Sequence, residues 1–258
     1  MTSSKRTGRP KGRTRRVLLT LAGGALALIA AAALWWRSLP DPSGLATRTP
    51  RTTALMDQRR EEAQRAGRTL RIDYRPVSLD RISPRLADAV RLSEDASFFD
   101  HDGFDWKEIR HAAESNARAG RTVRGASTIT QQLAKNLWLS PEKTAWRKLE
   151  EAVLTWRLER SLTKRRILEL YLNVVQFGPG TYGAAAASSR YFGVPPSQLS
   201  ADQAAQLAAS LPRPSSWNPG SSSSGYARHV ARIRGRMERA TWLNRLLCGA
   251  PYLSGARG

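Results

Sequence analysis

The stretch "LSEDASFFDHDGFDWKEI" (92–109) sets two adjacent carboxylates, Glu94 and Asp95, close in sequence to Phe98, Phe99 and Phe104. A carboxyl group shielded by aromatic rings loses hydration of its charged form. Its proton affinity rises and it becomes suited to general acid or base work. The bland reading of such a pair is a helix cap or a solvated face. A second set of carboxylates, Glu150, Glu151 and Glu159, lies in "RKLEEAVLTWRLER". Glu151 follows Arg147 by four residues, the spacing of an ordinary ion pair along one helical face. Between the two sets runs "GASTITQQLAKN" (125–136), in which Ser127, Thr128, Thr130, Gln131 and Gln132 precede the first charge, Lys135. That run is too polar for a core helix and too uncharged for a solvated one, so it asks for a hydrogen-bonding ligand. Lys135, Lys143, Arg147 and Lys148 form a cationic cluster around it. Such a cluster is either a solvated surface or the counter-charge for a diphosphate.

Weaker signals resolve without chemistry. His101 lacks a second histidine at zinc spacing, since His111 and His229 are remote, and is read as a residue that fixes its loop by hydrogen bonding. "SLTK" (161–164) matches S-x-x-K but no S-D-N or K-T-G element follows, which makes it a chance match. "GPGTYG" (178–183) lacks G-K-[ST], and a loop needing positive backbone angles explains it. Cys248 is the sole cysteine and forms no internal disulfide.

The elements that must position these residues are mostly helical. "TALMDQRREEAQRAGR" reads as a polar helix ended by Gly67, and a second helix starts at Pro84. Trp146, Leu149, Val153 and Trp156 fall at helical spacing, as do Ile167, Leu170, Tyr171 and Val174. "LSADQAAQLAASLP" is an Ala-rich helix stopped by Pro212. Period-two alternation is nearly absent, which predicts a mainly α-helical domain.

At the N-terminus, "KRTGRPKGRTRR" carries seven positive charges and no acid, then runs into Val17–Trp36, twenty residues without a charge. That length spans a hydrocarbon layer about 30 Å thick. Trp35 and Trp36 suit the far interface, and the Arg-rich end belongs in the cytoplasm. A cleaved signal peptide is disfavoured by the two tryptophans and Arg37 that end the run. The expected organisation is a cytoplasmic basic segment (1–16), a transmembrane helix (17–36), a Pro/Ser/Thr-rich linker (37–54), a catalytic domain (55–220) and a basic C-terminal tail (221–258) able to rest on anionic lipid. Lys plus Arg number 42 against 21 Asp plus Glu, so an anionic partner is expected. No recognisable nucleic-acid-binding module accompanies the charge, which excludes that class.

The order "EDASFFDHDGFD", "RGASTITQQLAKN", "RKLEEAVLTWRLERSLTKRRILELYLNVVQFGPGTYGAAAASSRYFG" and "LSADQAAQLAASLPRPSSWNP" resembles the peptidoglycan glycosyltransferases of family fifty-one. That domain occurs in class A penicillin-binding proteins and alone in monofunctional transglycosylases. The resemblance covers about Pro84 to Pro219, and the single anchor with no room for a transpeptidase domain favours the monofunctional form. It implies a lysozyme-like glycosyltransferase fold and polymerisation of lipid II into glycan strands at the outer leaflet of the cytoplasmic (inner) membrane, with undecaprenyl diphosphate released. Glu94 matches the family's general base, acting with inversion, and Glu151 the glutamate that assists departure of the diphosphate, directly or through a divalent ion (magnesium or manganese). No organic cofactor is implied. Lys135, Lys143 and Arg147 match cations of the diphosphate site. Ser127, Thr128, Gln131, Gln132 and Asn136 would contact sugar and phosphate oxygens. Lipid II, the growing glycan, membrane lipid and other cell-wall synthases are the implied partners, with the catalytic domain in the periplasm. "RGA" (124–126) replaces the usual G-G, and Val194 stands where lysine is common. The nearest alternative is a lysozyme-like peptidoglycan-cleaving enzyme, which has no need of the cations.

Overall fold

The computed structural model describes residues 11–121, 125–142 and 144–247, with side chains described over 18–121, 125–142 and 144–240. Residues 1–40 and 41–258 separate into two compact units. The first contains α1 (Lys11–Ser38), which is long and apolar enough to cross a membrane, with a mean hydropathy of 2.1 in its most apolar window. This fits a single-pass anchor.

The second unit is mainly α-helical and lysozyme-like. It contains α2 (Ala54–Arg65), α3 (Pro84–Glu94), α4 (Trp106–Ala119), α5 (Ile129–Trp138), α6 (Ala145–Ser161), α7 (Lys164–Val174), α8 (Gly183–Phe192), α9 (Ala201–Ser210) and α10 (Ser224–Leu247). A small sheet of β1 (Asp73–Tyr74), β2 (Gln176–Gly178) and β3 (Thr181–Tyr182) has strand order β1-β3-β2, with β1 parallel and β2 antiparallel to the central strand. These strands are two or three residues long, too short to leave an alternating pattern in the sequence.

Pro84 opens α3 at its first turn, where the missing N–H costs nothing. Gly67 has φ +65°, as a chain leaving α2 requires. Ile167, Leu170, Tyr171 and Val174 are fully buried on α7, and α5 lies against both α6 and α7. The alanines of α9 let α3 and α10 pack closely on it. The glycine loop turns as expected: Gly183 has φ +81°, and a side chain there would collide with the Asn173 carbonyl.

Two packing details bear on the sequence reading. The stripe Trp146, Leu149 and Trp156 is the exposed face of α6, at 54, 46 and 44%. The inward face carries Glu151, Leu154, Thr155 and Leu158, so the helical spacing located the helix. The segment set apart as a C-terminal tail begins with α10, whose Tyr226 and Ile233 are buried and whose Tyr226 hydroxyl donates to the Gln206 carbonyl at 2.9 Å. At least the first four turns of that helix are packed on the domain.

Candidate active site

Glu94 and Asp95 are neighbours with different surroundings. Asp95 leaves the C-terminal end of α3 and is buried. One of its oxygens accepts from the Ile129 amide at 3.0 Å and the other lies 3.0 Å from His101 Nε2. His101 Nδ1 accepts from the Gly103 amide at 3.1 Å, which places the ring proton on Nε2, donating to Asp95. Asp95 thus ties the end of α3, the 96–105 loop and the start of α5 together. Gly103 sits at φ +89°, and a Cβ there would approach Thr155 Cγ2 to 2.8 Å. The loop crosses α6 at a point where only glycine fits.

Asp95, His101 and Asp105 come near enough to suggest a metal site. Their ligand atoms are already engaged: Asp105 caps α4 through the Glu108 amide at 2.8 Å and accepts from the Ser97 hydroxyl, bonds that hold its carboxyl below the usual range. The cluster is a hydrogen-bonded brace, in agreement with the loop-fixing role expected of His101.

Glu94 is half-buried, and burial pushes its carboxyl above the ordinary range. Its Oε2 accepts from Gln132 Nε2 at 2.9 Å and its Oε1 lies 3.4 Å from the Ser93 hydroxyl. The aromatic wall read from the sequence does not line the cleft that Glu94 faces. Phe98 is buried against Phe99, with ring centroids 5.1 Å apart, and under the Lys164 ammonium at 4.5 Å. Glu94 opens instead onto a cleft of about 630 Å³ lined by Ser93, Ser97, Asp105, Glu108 and the 125–128 loop, and by Arg236 and Arg239 of α10. Those two arginines escaped the sequence reading. Their signal was present in the i, i+3 pairing on a basic helix, but nothing in the sequence brought that helix to this cleft.

The polar run divides between frame and cleft. Thr128 is the N-cap of α5 and accepts from the Gln131 amide, while Gln131 Oε1 accepts from the Thr128 amide at 3.0 Å. Thr128 Oγ1 also donates to the Gly103 carbonyl at 2.7 Å. Thr128, Gln131 and Asn136, expected to contact a ligand, are buried to 2, 5 and 5% exposure. Thr128 and Gln131 form a capping box that fixes the helix start. Thr130, likewise buried, donates to Glu159 at 2.6 Å. Ser127 is exposed on the cleft, and Gln132 and Lys135, three residues apart on α5, share the face turned towards Glu94.

Glu151 is 3% exposed. Its oxygens accept from Arg147 at 3.1 Å and from Lys148. Both oxygens are held by cations, a donor set that does not fit a bound divalent ion. Lys135 connects the two acids: desolvation lowers its proton affinity, Glu151 and Glu94 raise it, and Arg147 and Lys148 lower it. The residue is exposed, yet its ammonium is partly desolvated and lies within electrostatic reach of all four groups. Lys143 and Cys248 lie outside the described residues.

The family model for the transglycosylases matches residues 62–238, which takes in Glu94, the 125–136 run, Glu151 and Arg236 and stops one residue short of Arg239. The chain belongs to the transglycosylase family. It is similar to proteins named biosynthetic peptidoglycan transglycosylase. That from Laribacter hongkongensis is 51% identical over 165 residues, 64% of this chain and 72% of the relative. That from Azoarcus sp. is 46% identical over 203 residues, covering 79 and 84%. That from Alcanivorax borkumensis is 49% identical over 200 residues, covering 78% of each. The transglycosylase is therefore a peptidoglycan glycosyltransferase, an enzyme of peptidoglycan synthesis. Its match ends inside α10, beyond the boundary at 220 read from the sequence.

Proposed function

We propose that this enzyme polymerises lipid II into glycan strands and releases undecaprenyl diphosphate, with Glu94 as the general base. Glu94 takes the proton from the acceptor sugar's 4-hydroxyl. The freed oxygen forms a bond to the donor's anomeric carbon from the face opposite the diphosphate. The bond to the diphosphate oxygen breaks, its electron pair stays on the phosphate, and the anomeric configuration inverts. Burial supports this role, because a carboxyl with raised proton affinity is a stronger base than a solvated one. Lys135, Arg147, Lys148 and Lys143 would neutralise the departing diphosphate. Glu151 acts by holding the Arg147 and Lys148 side chains in place. Ser127 and Gln132 are the neutral groups left to meet sugar oxygens, and Arg236 and Arg239 supply further positive charge on the Glu94 side.

The observation that carries the reading is the face of α5 on which Gln132, bonded to Glu94 at 2.9 Å, and Lys135 lie one turn apart, with Lys135 within electrostatic reach of Glu94 and of the Glu151–Arg147–Lys148 group. A base and a diphosphate site must lie that close for one sugar linkage to span them. A peptidoglycan-cleaving enzyme would need the acid without the cations. The anchor, with its N-terminus in the cytoplasm, would hold the domain at the outer face of the inner membrane, where lipid II and other cell-wall synthases meet it. Incubation with purified lipid II tests the proposal. Glycan strands should lengthen while mature peptidoglycan releases no sugar; release of sugar without strand growth would overturn it.

A further inference from the structure

Tyr171 is a fully buried residue of α7 whose hydroxyl donates to Gln132 Oε1 at 2.8 Å. Gln132 in turn directs Nε2 at Glu94 Oε2, 2.9 Å away. We propose that Tyr171 is a positioning residue for the transfer reaction: by occupying the oxygen of the Gln132 amide it keeps the amide nitrogen, and not the oxygen, turned towards Glu94. The inference rests on Glu94 acting as the base.

The physical argument is one of amide orientation. A primary amide presents a donor at one end and an acceptor at the other, and a half-turn about its last torsion exchanges them. Facing an ionised carboxylate, the NH2 end attracts and the oxygen end repels. A partner that only accepted would favour the wrong orientation. Tyr171 can donate, and burial together with Glu94 and Asp95 pushes its phenol well above the ordinary range, so its proton is retained at every working pH. The donated bond polarises the amide and strengthens its second bond to Glu94. Other charged groups around Glu94 are Asp95 beside it, Lys135 of α5, Asp105 and Glu108 across the cleft, and Arg236 and Arg239 of α10. The Tyr171 hydroxyl donates to the Gln132 oxygen and is the group that selects the orientation of the amide.

The test is the pH dependence of lipid II polymerisation by Tyr171→Phe in the full chain. The base must be ionised, so activity falls on the acid side. Losing the fixed amide weakens support for the carboxylate, and the acid limb should move up by roughly half to one pH unit, the scale of one hydrogen bond to a charged group. Maximal rate should drop with KM little changed. In a Gln132→Leu background the same substitution should add no further shift. Fluorotyrosine placed at 171 keeps the shape but donates more strongly, and should move the limb down; this variant carries the test if Tyr171→Phe proves unstable by thermal melting. An unmoved limb in the folded variants would overturn the inference. Glu94→Gln assayed alongside separates the two claims: if it remains active, the base reading fails, whereas an inactive Glu94→Gln with an unmoved Tyr171→Phe limb removes only the role of Tyr171.

Discussion

Glu94, at the end of α3, meets an amide and a hydroxyl, whereas Glu151, early in α6, meets a guanidinium and an ammonium. The two acids belong to one site and are prepared for opposite tasks. Burial leaves Glu94 with a charge that is costly to keep, which its neutral donors Gln132 and Ser93 only partly offset, and that is what makes it able to take a proton. Glu151 is bonded to two cations, and its value lies in the side chains it holds. Lys135 is within electrostatic reach of both.

The comparison breaks most visibly at Glu94. Glu94→Gln should lower polymerisation by about 10²- to 10⁴-fold, the usual range for a positioned proton acceptor. Its effect on stability should have the opposite sign. A carboxyl with raised proton affinity in the fold contributes fully below its unfolded value, near 4.5, and that contribution is lost as pH rises through the folded value. Glu94→Gln escapes the loss, so it should melt higher than the parent at neutral pH and show no such gain in acid. Equal melting curves at both pH values would remove the claim of a strained charge.

Glu151→Gln should do the reverse. Removing one partner of a buried ion group leaves uncompensated charge, at about 3 kcal/mol, the lower end of the range because Lys148 is half exposed. Denaturant titration would read this as a fall in midpoint, accompanied by weaker use of the diphosphate donor. A stable Glu151→Gln enzyme would blur the distinction between the acids. The smallest effect belongs to the frame they share: Thr128→Ala should cost about 1 kcal/mol, the worth of a helix cap, with the fall in rate no greater than that loss explains.

The sequence made part of this legible. The α7 face, the Pro84 start and the glycine loop follow from spacing and backbone preference, and the motif order led to the family. The T-x-x-Q of Thr128 and Gln131 was legible too, as a capping box, but the polar run was read for ligand contacts because hydroxyls and amides serve both purposes. The phenylalanines were placed around Glu94 because they follow it in sequence. The His101–Asp95 bond folds that loop back, turns Phe98 into the core and leaves polar groups on the cleft. The docking of α10, and with it Arg236 and Arg239, depends on long-range packing against α3 and α9 that no local pattern carries.

The most direct test of the central claim is the rate of lipid II polymerisation as a function of pH, for the parent enzyme and for the residual activity of Glu94→Gln. A buried glutamate base predicts an acid limb centred above the ordinary glutamate range in the parent and no such limb in the variant. A limb that persists unchanged in Glu94→Gln would assign the proton transfer to another group and contradict the account.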